Sequence, residues 1–207
     1  MLLDATFDLL GTEGADATTV RAVCQKAQLN PRYFYESFDD LDALVVAVYD
    51  RVVEELAHEV LDAQAAAPRD PRAQLRSAIE SSVRFVDEDR RRGKVLYVEA
   101  LGNEALNRRR KEAGHTLVGL VEQAAAGTHG ALPPRERIAR IGAAILVGGV
   151  SELLVEWLEG RIKATPAQLV DDATDLFLAL GEATATIAAR RAPKPKSRAV
   201  RATTQPR

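Results

Sequence analysis

The chain has 207 residues, a formal net charge of −2, 46% apolar residues and 28% charged ones, enough to fill a core without disulfide or metal staples. The single cysteine, Cys24, excludes an intramolecular disulfide. No charged-then-apolar leader opens the chain, and the longest near-apolar run, Ile141 to Val150, falls well short of the roughly 20 residues that span a bilayer. Helix formers dominate and strand-like alternation is lacking, so the expectation is an all-α cytoplasmic protein of about nine helices with no membrane segment.

Leu3, Phe7 and Leu10 recur at helical spacing, and Gly14 follows as a left-handed cap. Thr18 and Thr19 offer hydroxyls to cap a second helix through Val20, Val23, Cys24 and Ala27. Gln28-Leu29-Asn30 forms a short break. Pro31 suits the first position of a third helix, Pro31 to Ser37, with Asn30 as its cap. Asp39 is expected to cap a long fourth helix over 39–66, with Asp42 three residues on near its positive end. Pro68-Arg69-Asp70-Pro71 breaks that helix. Helical patterns resume over 72–91, 94–101 and 103–126, the stretch 127–134 reads as a loop, and two strong helices follow over 134–162 and 166–189. From Ala192 the chain carries three prolines and no periodicity, and is expected to be disordered. The domains expected are an N-terminal unit of short helices over 1–46, a longer helical domain over 47–190, and a basic tail over 191–207.

Charge is unevenly spread. The first fifty residues carry only Arg21, Lys26 and Arg32 against nine acids, whereas Arg190, Arg191, Lys194, Lys196, Arg198, Arg201 and Arg207 meet no acid at all. Phosphate neutralisation supplies most non-specific DNA affinity, so a DNA-binding unit with this balance draws its attraction partly from elsewhere or binds modestly.

Two short helices joined by a three-residue turn make a helix-turn-helix, whose second helix enters the major groove. The spacing turns Arg32, Tyr33 and Tyr35 outward and Leu29, Phe34 and Phe38 inward. Arginine pairs bidentately with guanine, tyrosine reaches phosphates or thymine methyls, and Asn30 opens a helix N-terminus suited to phosphate. The run Ala17-Thr18-Thr19-Val20-Arg21, then Leu29-Asn30-Pro31-Arg32-Tyr33-Phe34-Tyr35-Glu36-Ser37-Phe38 and Asp39-Asp40-Leu41-Asp42-Ala43-Leu44, resembles the TetR/AcrR family of transcriptional regulators. The resemblance covers about the first fifty residues. It implies that Thr19 and Tyr35 touch phosphates, that Arg21, Pro31, Arg32 and Tyr33 approach bases, and that Asn30 caps the recognition helix. It also marks two departures: Gln28 stands where the family usually has glycine, and Asp40 where a basic residue is common.

The resemblance further implies a homodimer built on the last two long helices. Ile141, Ile145, Gly148, Gly149, Glu152, Leu176, Phe177 and Leu180 are the expected interface, and small residues there allow close approach. The central helices would enclose a small-molecule effector, with Phe85, Leu96, Tyr97, Leu101, His115, Leu120 and Trp157 as candidate lining. The function expected is a ligand-responsive repressor that releases operator DNA when effector binds; the alternative is an all-helical small-molecule-binding or interaction protein with weak or lost DNA binding. His58, His115 and His129 are scattered without metal-ligand spacing, and no nucleophile–base set stands out. No catalytic residues, cofactor or metal are expected, and the protein is not expected to be an enzyme.

Overall fold

The computed structural model describes the main chain of residues 1–129 and 133–191 and the side chains of 1–123 and 137–191. The expected tail beyond Ala192 and residues 130–132 of the expected loop lie outside the described residues. Within them every regular element is helical. α1 (Leu2–Thr12), α2 (Val20–Ala27) and α3 (Pro31–Ser37) are short, and α4 (Leu41–Ala66) is long. Next come α5 (Pro71–Glu88) and α6 (residues 90–102), which runs through a π turn at Lys94–Val98. α7 (Glu104–His129), α8 (Pro133–Leu158) and α9 (Pro166–Arg191) complete the order.

Local chemistry explains most of these boundaries. Asp40, not Asp39, caps α4: its carboxylate accepts from the Ala43 amide at 2.8 Å. Asp39 is one residue too early to reach that amide while Leu41 begins the helix. Asp70 does the same for α5, accepting from Ala73 at 3.0 Å, and Pro71 follows at the first helical position, where its missing N–H costs nothing. α7 continues to His129 through part of the expected loop. α8 stops at Leu158, four residues before the expected end, because Gly160 turns left-handed (φ 74°) and the amides of Arg161 and Ile162 donate back to the Glu156 carbonyl.

α5 packs between α4 and α9, α8 between α7 and α9, and α1 against α2, α4 and α6. One contiguous cluster of buried apolar side chains threads these layers, from Leu9, Leu10, Val23 and Phe34 through Val48, Val52 and Phe85 to Leu106, Trp157 and Leu169. The first three helices are therefore not a separate bead: their core is continuous with that of the longer helices. Gly11 marks the tightest point of this union. A Cβ there would sit 2.3 Å from the Cβ of Arg91, so only glycine lets α1 lie against the start of α6.

Candidate nucleic-acid interface

The corner between α2 and α3 is built by backbone chemistry. Thr19 caps α2, its hydroxyl accepting from the Ala22 amide at 3.1 Å, and the Thr18 hydroxyl donates to the Gly14 carbonyl at 2.8 Å. At the far end the Leu29 amide bonds the Cys24 carbonyl at 2.9 Å and the Gln28 amide bonds Gln25 at 3.2 Å. That pair is a Schellman turn, which needs a left-handed residue at its pivot. Gln28 fills it at φ 56°, ψ 38° and is the one non-glycine residue with positive φ among the described residues. Asn30 Oδ1 then accepts from the Arg32 amide at 2.9 Å, and Pro31 begins α3.

α3 divides cleanly by face. Phe34 is fully buried, with the Tyr35 ring edge-on at 5.1 Å and Phe38 at 6.2 Å. Tyr33 and Tyr35 remain 55% and 64% exposed, which no core role explains. Thr19, Arg21, Asn30, Pro31 and Arg32 are exposed as well. Arg32 is not solitary: its Nε donates to Glu36 one turn on, at 2.8 Å. The i, i+4 spacing could have revealed that pair in the sequence. Arg21 has no ion pair among the described residues, and Lys26 is taken by Asp8.

Part of the acidic excess is thereby spent inside the protein. Asp4 binds Arg51 at 2.7 Å, and hydrogen bonds from the chain's N-terminus and Arg51 hold its carboxyl down at about 2. Asp8 receives Lys26 and Arg91, which lower its pKa in that order. Asp40 is engaged in its cap. Arg91 also grips Asp89, stacks over Phe7 at 5.1 Å, and so joins α6 to α1. A second joint lies immediately after the π segment, where the Ala15 amide donates to Glu99 Oε2 at 2.7 Å. The partners are 84 residues apart in sequence, and no local pattern announces them.

The candidate effector lining is not brought together as one set. Phe85, Leu96 and Trp157 are buried, and Tyr97 is half-buried on the π turn. Leu101, His115 and Leu120 stand exposed on α6 and α7, with His115 at the rim of an open trough of about 310 Å³ along α7. Helical periodicity marks an apolar stripe but cannot say which of its edges a neighbouring helix covers. Trp157 donates its indole N–H to the Ala164 carbonyl at 2.9 Å, so its polar edge is already used within the chain.

The expected dimer face separates in a similar way. Gly149 faces Phe177 of the same chain, where a Cβ would lie 3.0 Å from the ring, so this pair closes α8 on α9 within one subunit. Ile141, Ile145, Gly148 and Glu152 form an exposed stripe on α8, and Leu176 is exposed on α9 with Leu180 half-buried beside it. Residues 137–158 are long and apolar enough to cross a membrane on length and composition alone, with mean hydropathy 1.8. Within the chain, Ala143, Leu154, Val155 and Trp157 turn one side of that helix into the core.

The capped corner, the outward tyrosines and arginine of α3 and the helical body behind them define a helix-turn-helix transcription regulator. Residues 2–48 match the family model of the bacterial regulatory proteins, tetR family. The chain is 29% identical to the HTH-type transcriptional regulator BetI of Burkholderia thailandensis, over 86% of this chain and 92% of that one. The fold is also that of a transcriptional regulator from Rhodococcus sp. Rha1, with a TM-score of 0.72 at 18% identity over 88% and 95% of the two chains. FadR of Bacillus subtilis, solved with stearoyl-CoA, superposes with a TM-score of 0.70 at 14% identity over 86% and 96%.

Proposed function

We propose that this chain is a ligand-responsive repressor that binds operator DNA as a homodimer through residues 1–46 and senses a small molecule through 47–190. The observation that carries the DNA role is the α3 face: Tyr33, Tyr35 and Arg32 are held outward by a fully buried Phe34. In this reading Arg32, with Arg21 and Tyr33, meets base edges, while Thr19 and Tyr35 meet phosphates. Asn30 and Pro31 set the start of the recognition helix. Two such helices must stand about 34–36 Å apart to read one face of a palindrome, which calls for a two-fold partner.

The effector role is supported by the joints between α6 and the DNA-reading unit. The same rod that carries Leu96 and Tyr97 holds α1 through Arg91 and the α1–α2 loop through Glu99. A molecule that prefers one setting of this rod shifts the population of α1 positions, and with it the separation of the two α3 helices. FadR's complex with stearoyl-CoA is a precedent for a small-molecule complex on this fold.

The test is a gel shift against the DNA flanking the chain's own gene across a salt series. A palindromic site should be bound tightly and released as salt rises, and Arg32→Ala and Tyr35→Phe should each weaken binding roughly tenfold without changing the melting temperature. Unchanged affinity in both variants sinks the site assignment. The acids Glu36, Asp39 and Asp42 around α3 favour the second reading, a helical binding protein with lost DNA function, and absence of any salt-sensitive complex would select it.

A further inference from the structure

Arginines packed against this fold hold carboxylates. Arg51 has Asp4, Arg91 has Asp8 and Asp89, and Arg109 has Asp50 at 2.5 Å and Glu112 at 3.1 Å. Arg110 is the exception. It makes no ion pair among the described residues, and its Nε is buried without an acceptor. On the neighbouring turn of α7, Asn107 Oδ1 is also buried and unpartnered. Leu106, four residues before Arg110, is fully buried, so this stripe of α7 faces the bundle.

Opposite it, on α4, lies Tyr49, itself buried. Desolvation pushes its hydroxyl up to about 12, while Arg110 pulls the other way more strongly than Arg109 does. Tyr97 reaches the same region from the π turn of α6; desolvation, then the neighbouring Tyr49, raise its hydroxyl above the usual phenol range. Neither hydroxyl makes a hydrogen bond among the described residues. Buried polar groups are nearly always partnered, and two exceptions on adjoining turns of one helix, Arg110 Nε and Asn107 Oδ1, point to a missing ligand. π turns are frequent at such sites.

We infer that Arg110, Asn107, Tyr49 and Tyr97 form the polar end of an effector subsite between α4, α6 and α7, and that it takes an organic carboxylate. A guanidinium without a counter-ion repels cationic ligands and pairs best with a planar carboxylate. A phosphate would call for a second cation, and Arg109 is already neutralised by Asp50 and Glu112. The Asn107 oxygen accepts, so the ligand carries a hydroxyl or amide donor beside its acid group. The inference rests on the effector-sensing reading above and gives the effector its chemical class.

The probes are benzoate, 2-hydroxybenzoate, benzamide and benzyltrimethylammonium, each added up to tens of millimolar to the full chain, with thermal unfolding followed in the absence of DNA. Both acids should raise the melting temperature, the hydroxy acid more, and the neutral and cationic probes should not. Arg110→Met should melt close to the starting protein, since the half-buried Arg110 makes no ion pair among the described residues, yet lose the response to acids. Tyr97→Phe should weaken the acid affinity roughly tenfold. A response that survives Arg110→Met, an equal response to benzamide or the ammonium, or no response to either acid overturns the subsite. A gel shift run alongside keeps the two readings apart. DNA binding without an acid response defeats the subsite alone. An acid response without DNA binding, or with binding that acid leaves unchanged, defeats the repressor reading alone.

Discussion

Gln28 holds the turn of the DNA-reading motif in the left-handed region, where a side chain costs about 1–2 kcal/mol relative to glycine. Glycine would recover that strain and give back part of it in unfolded-chain entropy. Gln28→Gly is therefore expected to raise stability by about 0.5–1 kcal/mol in thermal or urea unfolding; a loss would show that the glutamine side chain contributes something the turn geometry does not reveal. The cap of α4 offers a paired measurement. Asp40→Ala should cost about 1 kcal/mol because the Ala43 amide loses its acceptor, while Asp39→Ala should be near neutral. The reverse order would return the cap to Asp39. Asp40 thus has a structural reason to be acidic where the family often carries a base.

Helices α1 and α6 are joined by charge as well as by the close approach at Gly11. Lys26 and Arg91 bond Asp8, and Arg91 bonds Asp89, so both carboxyls are held below their ordinary value of 3.8. A carboxylate with a depressed folded-state pKa stabilises fully above its unfolded value and is lost as pH falls through the lower folded one. Stability should therefore hold from neutral pH to about 4 and then decline. Asp8→Asn should lower stability at pH 7 by about 1 kcal/mol, as expected for a partly exposed, salt-sensitive tie, and flatten the acid limb of the urea midpoint against pH. An unaltered limb would mean that the tie adds nothing to folding. The expected helices were largely legible in the sequence because caps, breaks and three-and-four spacing act within one turn. The α1–α6 joints were not, since Asp8 and Arg91 stand 83 residues apart.

At the scale of the molecule, Ile141, Ile145 and Gly148 with Leu176 beside them form an apolar stripe exposed within one subunit, the kind of patch that marks an interaction surface. A second copy meeting it on a two-fold axis would cover it and explain why residues 137–158 carry membrane-like hydropathy. Leu176→Glu with Ile145→Glu should convert the protein to monomer in sedimentation and cost operator binding well over tenfold. Monomers that bind the palindrome as tightly would refute the dimer reading. The charge distribution sets a second expectation. With only Arg21 and Arg32 of each subunit as cations on the DNA-facing corner, two subunits should give a slope of log affinity against log salt no steeper than roughly −4. A markedly steeper slope, reduced by deleting residues 192–207, would assign the missing attraction to the basic tail.

Sequence alone determined the helical class, the helix-turn-helix, and the outward set of Arg32, Tyr33 and Tyr35. Each depends on residues within a few positions of one another. Tertiary structure decided that Gly149 and Phe177 meet inside one subunit while Ile145 and Leu176 stay uncovered, and that Leu101, His115 and Leu120 face outward. It also paired Arg91 with Asp8 and left Arg110 unpaired. An apolar stripe records that a helix face is buried but not against what, and a charge records no partner. Only the packing of distant helices supplies both.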